Sequence, residues 1–171
     1  RVRFPLHVAR ALLGIMVLSA FAYALRSMSL ADAYAIFFIA PLLITALAVP
    51  ILGEQVDWRR WLAIGIGFVG VLIVLRPTGT SALTIPGLAV LITAIGYALS
   101  AITVRVLGRT DSTQSMVFWL MIMVGTGAGL LALPDWRPIQ SAHWLAIGGM
   151  AVTGSLGQWA ITEAFRRGEA S

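Results

Sequence analysis

Few side chains in this sequence have the types needed for covalent chemistry, and their spacing argues against it. Ser155 lies between Gly154 and Gly157 in an apolar stretch, and a serine nucleophile needs a base within hydrogen-bond reach. His143 precedes Ser155 by twelve residues, which is about 18 Å along a helix, and His7 lies near the start of the chain. An intramembrane serine protease is therefore considered and discounted, and we expect no enzymatic activity.

The residues that would hold a metal or a cofactor are also poorly placed. Cysteine is absent, and the seven carboxylates are scattered near the ends of apolar stretches. Glu163 has Arg166 and Arg167 at helical spacing, which favours an ion pair at a helix end over a proton relay. The GxGxxG pattern at 65–70 lies inside an apolar stretch without the βαβ unit that gives it meaning, so we interpret it as helix packing. We expect no metal and no cofactor.

Polar and small side chains instead form narrow stripes at helical spacing. Hydrogen bonds and close contacts between helices account for most of them. Tyr97 and Gln158 are harder to explain in this way, because large polar groups deep in an apolar environment need partners. A cavity between helices that is filled by water or a ligand would supply such partners. The stripes are Tyr34, Phe38, Pro41 and Thr45; Thr93, Gly96, Tyr97, Ser100 and Thr103; and Gly154, Gln158 and Thr162.

Six charge-free stretches position these residues, in a chain that is 59% hydrophobic and 11% charged. Soluble domains average roughly 25% charged residues, and a bilayer core takes about 20 residues of helix. The first and third stretches have fifteen residues between arginines, and they can still span because arginine side chains reach toward the interface. We predict an all-α integral membrane protein with six transmembrane helices at Ala11–Leu25, Ala33–Leu52, Trp61–Leu75, Ile85–Val104, Met116–Leu133 and Trp144–Thr162.

The distribution of arginine predicts the orientation. The chain has a formal net charge of +5 from twelve basic residues, all arginine. In a soluble protein this charge would suggest nucleic acid, but the arginines lie between the spans, so we expect no nucleic-acid partner. Counting alternate loops places nine arginines on one side and three on the other. The positive-inside rule then puts both ends of this chain in the cytoplasm.

A weak internal repeat relates the first span to the sixth. A shift of 140 residues pairs five identical residues, among them Arg26 with Arg166, where about two are expected by chance. Because these spans are five helices apart, the second copy would be inverted, as in many transporters. We therefore predict the middle part of a ten-helix fold, cut at both ends from a longer chain. Residues 1–76 would supply three helices of the first five-helix repeat, and residues 77–171 three helices of the second.

Several motifs of the chain resemble a known family. They are Ala24-Leu25-Arg26-Ser27-Met28-Ser29-Leu30-Ala31-Asp32-Ala33-Tyr34-Ala35-Ile36, Pro41-Leu42, Leu52-Gly53-Glu54-Gln55, Trp58-Arg59-Arg60-Trp61 and Gly67-Phe68-Val69-Gly70-Val71-Leu72. This pattern resembles the EamA-type domain of the drug/metabolite transporter superfamily. The segment 164–171 is similar to the corresponding point of the second EamA repeat. The resemblance implies ten helices in two inverted repeats, a central cavity between them, and transport of small metabolites.

The resemblance and the stripes together define the expected site and function. We place six residues in the cavity, while Pro41 and Glu54, which matches the family's acidic position, have a structural or gating role. We expect a multi-pass secondary transporter in the plasma (bacterial inner) membrane that moves amino acids, nucleoside-like compounds, vitamins or similar solutes by alternating access. A homodimer stays open, and the alternative function is a non-transporting membrane anchor or assembly module with dry packing. The cavity residues are Tyr34, Phe38, Tyr97, Ser100, Gln158 and Trp159.

Overall fold

A computed structural model describes residues 3–53, 57–75, 84–136, 138 and 140–167. These residues form seven α-helices and two short 3-10 turns, at Leu133–Asp135 and Ser141–His143, and the described ranges contain no strand. The predicted all-α class is therefore confirmed. The helices are α1 (Phe4–Ala24), α2 (Leu30–Phe37), α3 (Ala40–Leu52), α4 (Trp58–Leu75), α5 (Ile85–Leu107), α6 (Thr113–Ala132) and α7 (Trp144–Arg167).

Hydroxyl side chains set the first residues of three helices. Ser29, Thr84 and Ser112 each accept a hydrogen bond from the backbone N–H three residues later, at 3.1, 3.3 and 3.2 Å. Each hydroxyl satisfies one of the N–H groups that have no partner within the first turn of a helix. These caps therefore determine where α2, α5 and α6 begin.

The second predicted span is broken into two helices. α2 ends at Phe37, a turn follows, and α3 begins at Ala40. Pro41 occupies the first turn of α3, where a missing N–H costs nothing because that group has no helical partner. The predicted span at Ala33–Leu52 is confirmed as the apolar segment Leu30–Leu52, and Pro41, which the sequence placed inside that span, marks the start of its second helix.

α5 is the central helix of the described structure. It packs against α1, α2, α3 and α7, and α1 packs in turn against α6. Small residues allow these close approaches: a Cβ atom added to Gly96 would lie 2.5 Å from the terminal methyl of Met16 and 2.8 Å from a methyl of Val17. Side chains of α1 therefore fill the space beside Gly96, and the two helices pack closely at this position.

Only some of the glycines that we assigned to helix packing lie close to a neighbouring helix. The GxGxxG pattern lies within α4, as predicted, and a Cβ atom on Gly67 would lie 3.2 Å from Leu42. Gly65 and Gly70 have no described heavy atom within 4 Å of such a Cβ. Within the described residues the packing interpretation is thus confirmed only at Gly67. The same open space lies beside Gly125, Gly129, Gly148, Gly149, Gly154 and Gly157.

Four segments of the described residues are long and apolar enough to cross a membrane. They are Phe4–Ala24, Leu30–Leu52, Ile85–Leu107 and Thr113–Ala132. α4 contributes a shorter apolar stretch, Trp61–Gly70, and α7 has 24 residues with Gln158 and four glycines among them. The crossing of the bilayer by α4 and α7 stays a prediction.

Candidate functional site

A cavity of about 550 Å³ lies among α1, α2, α5, α6 and α7. Its wall is mostly apolar, and α1 and α6 supply most of the aliphatic side chains. Ligand sites commonly measure about 300–1,000 Å³ and combine an apolar wall with a few polar groups. The aliphatic and glycine residues of the wall are Gly14, Val17, Leu18, Leu120, Met121, Val124, Gly125 and Ala128.

Aromatic side chains line one part of the cavity. Phe21 and Phe37 pack edge to face with Tyr34 at ring-centroid distances of 5.7 and 6.4 Å, and Tyr97 packs against Phe37 at 5.4 Å. Edge-to-face packing of this kind fixes the orientation of rings relative to each other. The result is an ordered aromatic wall built by α1, α2 and α5.

Polar groups enter the cavity from two helices. Thr93, Tyr97 and Ser100 lie on α5, at positions that share one helical face, and Gln158 lies on α7. The Thr93 hydroxyl donates to the Ala89 carbonyl oxygen of its own helix at 2.9 Å. These residues can orient a bound solute by hydrogen bonds within an otherwise apolar space.

The structure brings together four of the six residues predicted to line a cavity: Tyr34, Tyr97, Ser100 and Gln158. Phe38 and Trp159 do not line it, and they are 67% and 45% exposed on the outer surface of the helices. Phe38 falls in the turn after α2, where the helical stripe ends. Trp159 follows Gln158 in the sequence and is therefore rotated by about 100° around α7, away from the cavity.

Pro41 lies in the first turn of α3, outside the cavity wall. Glu54 lies outside the described residues. The lining residues from α1 and α6 were missed by the sequence analysis, because apolar side chains in an apolar span carry no signal that separates a cavity wall from lipid contact. A functional role for the lining residues stays a prediction.

A buried arginine lies at one end of the cavity. α1 begins at Phe4, so Arg10 is inside this helix and not before it, and its side chain is only 2% exposed. Its guanidinium donates from Nη1 to the Met116 carbonyl oxygen at 3.2 Å and from Nη2 to the Thr162 hydroxyl at 3.4 Å. Arg10 also lines a second cavity of about 20 Å³, together with Tyr97, Ser100 and Gln158.

A polar layer continues from Arg10 toward the end of the bundle. His7 Nε2 lies 2.7 Å from a carboxylate oxygen of Asp111, in the turn between α5 and α6. Burial acts to raise the pKa of Asp111, but the hydrogen bonds from His7 and Thr110 and the charge of His7 hold that pKa below its ordinary value. This contact therefore fixes the first turns of α1 against the connection that begins α6.

Glu163 forms the ion pairs that its spacing predicted. Its carboxylate lies 3.8 Å from Arg166 Nη1 and also pairs with Arg167. It accepts a further hydrogen bond from the Thr113 hydroxyl on α6. An ion pair at the end of α7 is confirmed, and it joins α7 to the start of α6.

These features define a class: a helical protein with several apolar spans around a cavity large enough for a small molecule. Comparison with known proteins identifies the family. Residues 3–76 match the EamA-like transporter family. The resemblance of this segment to the EamA-type domain of the drug/metabolite transporter superfamily, which its motifs indicated, is thereby confirmed. No solved structure matches the chain at a significant level.

Curated relatives extend over nearly the whole chain. The riboflavin transporter of Vibrio cholerae is 30% identical over 99% of this chain and 57% of its own length. The S-adenosylmethionine uptake transporter of Rickettsia prowazekii is 27% identical over 93% of the chain and 54% of the relative. The pseudopaline exporter of Pseudomonas aeruginosa is 24% identical over 94% and 57%. The chain thus spans just over half the length of these relatives, and all three are named for moving a small molecule.

Proposed function

We propose that this chain supplies the central helices of a secondary transporter that moves a small solute across the plasma (bacterial inner) membrane by alternating access. The observation that carries this proposal is the 550 Å³ cavity. It combines an aromatic wall with polar groups from α5 and α7, as expected of a site that selects one class of small molecule. The family of residues 3–76 supports the same function.

The chemistry of the wall favours solutes with a flat ring. Phe21, Tyr34, Phe37 and Tyr97 offer faces and edges to such a ring, and Ser100 and Gln158 offer hydrogen bonds to its substituents. Vitamins and nucleoside-like compounds have this character, and two relatives are named for riboflavin and S-adenosylmethionine. The relatives include both uptake and export proteins.

The proposed arrangement in the membrane has six crossings, with α2 and α3 forming one broken crossing. With Arg10 assigned to the interior of α1, eight arginines remain on one side and three on the other. This distribution supports an orientation with both ends of this chain in the cytoplasm. The division at residues 76 and 77 into parts of two inverted repeats belongs to the same proposal.

The absence of cysteine from the sequence gives a clean test of the cavity. Ser100→Cys and Gln158→Cys place a thiol in the wall, and Ile95→Cys places one on the 46% exposed face of the same α5 helix. A thiol reacts with a methanethiosulfonate reagent as its thiolate, which forms in water and not in lipid. In membranes we expect labelling at positions 100 and 158 and none at position 95.

Each outcome separates a transporter from the alternative function. A cavity that contains water is supported if the cysteines at positions 100 and 158 are labelled and the cysteine at position 95 is not. Absence of labelling at all three positions, in protein that labels after denaturation, would contradict the proposal and support a dry membrane anchor or assembly module.

A further inference from the structure

The environment of Arg10 is unusual for a buried cation. Its side chain is 2% exposed, and its hydrogen bonds go to two neutral oxygens, of Met116 and Thr162. Its Nε atom is buried, with no hydrogen-bond partner among the described residues. The ion pairs of the described part of the chain do not include Arg10.

The two described carboxylates at this end of the bundle pair with other side chains and not with Arg10. Asp111 is engaged by His7, and Glu163 by Thr113 and Arg167. A buried charge without a counter-ion is strongly unfavourable, and an ionisable residue within a membrane helix commonly marks a functional site. A negative charge beside Arg10 would therefore stabilise it, and the described part of the chain does not supply one.

The second cavity, which Arg10 lines, shares part of its wall with the proposed solute site. Tyr97, Ser100 and Gln158 line both cavities, so Arg10 lies just beyond the polar end of the larger one. The smaller cavity, at about 20 Å³, has room for about one water molecule. A group that entered from the larger cavity would thus meet the guanidinium after passing Ser100 and Gln158.

We propose that Arg10 recognises a carboxylate on the transported solute. This inference rests on the proposed function. The carboxylate is one end of the transported solute, and the rest of that solute occupies the 550 Å³ cavity. The two carboxylate oxygens take the edge of the guanidinium formed by Nε and Nη2, the paired geometry that arginine offers to carboxylates. The 3.4 Å contact of Nη2 with Thr162 is long and is replaced, while Nη1 keeps its bond to Met116.

The competing explanation is a structural role, in which Arg10 only ties α1 to α6 and α7. A structural role predicts loss of stability when Arg10 is replaced, without any change in the preference for charged over neutral ligands. The two explanations therefore differ in ligand selectivity, which a pair of nearly isosteric probes can measure.

The experiment measures binding of indole-3-acetate and indole-3-acetamide to the purified chain in a neutral detergent at pH 7. These probes share a flat ring and differ in charge. Arg10→Met removes the charge and keeps an apolar side chain of similar length, and Arg10→Lys keeps the charge without the fork. Arg109→Gln, at an exposed arginine in the turn after α5, lowers the net charge by the same amount as Arg10→Met.

We expect the wild-type chain to bind the carboxylate about tenfold more tightly than the amide, a difference of about 1.4 kcal/mol. Arg109→Gln should keep this ratio, Arg10→Lys should reduce it, and Arg10→Met should bring it to about one with amide binding unchanged. Equal binding of both probes by the wild type would overturn the carboxylate site and leave the cavity in place. A ratio preserved in Arg10→Met would do the same, and binding of neither probe would overturn both proposals.

Discussion

The guanidinium of Arg10 and the hydroxyl of Thr162 lie 3.4 Å apart, although 152 positions separate these residues in the chain. The Gln158 amide donates to the same hydroxyl at 3.4 Å. Thr162 is fully buried, and its hydroxyl links Arg10 of α1 to Gln158 of α7. The polar end of the cavity depends on this one side chain.

Replacement of Thr162 by valine should destabilise the fold. Thr162→Val keeps the shape of the side chain but leaves the buried Nη2 of Arg10 and the half-buried amide of Gln158 without this acceptor, and an unsatisfied buried donor costs about 1–3 kcal/mol. The measurement is the free energy of unfolding in mixed micelles, followed by circular dichroism. Thr153→Val is the matched control, because that exposed hydroxyl bonds only to carbonyl oxygens of its own helix. Equal stability of the two variants would show that the Thr162 contacts contribute nothing.

The carboxylate of Asp111 should make stability depend on pH in the acidic range. Its pKa in the folded protein lies below the ordinary value of 3.8, so the unfolded chain binds the proton more readily than the folded one. The stabilisation is therefore complete above the ordinary pKa and is lost as the pH falls through the folded value.

Asp111→Asn isolates this contribution from that of the other carboxylates. The variant should have a lower Tm than the wild type at pH 7, because His7 then loses a charged partner, whose hydrogen bond typically contributes about 1.5–3 kcal/mol. The difference in Tm should shrink as the pH is lowered from 5 toward about 3. A difference that stays constant over this range would contradict the assignment.

The contact between α1 and α5 at Gly96 should not tolerate a side chain. In Gly96→Ala the new methyl group meets Met16 and Val17 at distances below 3.0 Å. Met16 can move aside, but the branched Val17 side chain is stiff, so the helices must separate. Overpacking of this kind costs about 1–3 kcal/mol, which the same unfolding measurement detects. Gly129→Ala, with no described heavy atom near its Cβ, should be at least as stable as the wild type.

The sequence predicted the helices better than it predicted their mutual orientation. Hydrophobicity and the motifs identified the all-α class and the family, and the stripe of Thr93, Tyr97 and Ser100 on α5 does face the cavity. The period of a stripe shows which residues share a face but not which neighbour that face meets. Phe38 lies outside the cavity wall because the turn between α2 and α3 interrupts the period.

Arg10 shows a second limit of inference from sequence. We interpreted it as a charge that marks the end of a span, because arginines at span ends are common. Its burial follows from contacts with Met116 and Thr162, which are more than 100 positions away in the chain. Such contacts arise from tertiary packing and leave no local pattern. The same reason explains why the lining residues of α1 and α6 were not predicted.

The most direct test of the central claim, that the cavity binds a solute, is equilibrium binding of the two flat-ring probes, radiolabelled indole-3-acetate and indole-3-acetamide, to the purified chain. Ser100→Trp fills the cavity from α5, and Ile95→Trp adds the same side chain to the exposed face of that helix. We predict that the wild type and Ile95→Trp bind at least one of the two compounds, and that Ser100→Trp binds it at least about tenfold more weakly, a loss of about 1.4 kcal/mol. Binding of neither compound, or equal binding by Ser100→Trp in a folded state, would contradict the claim.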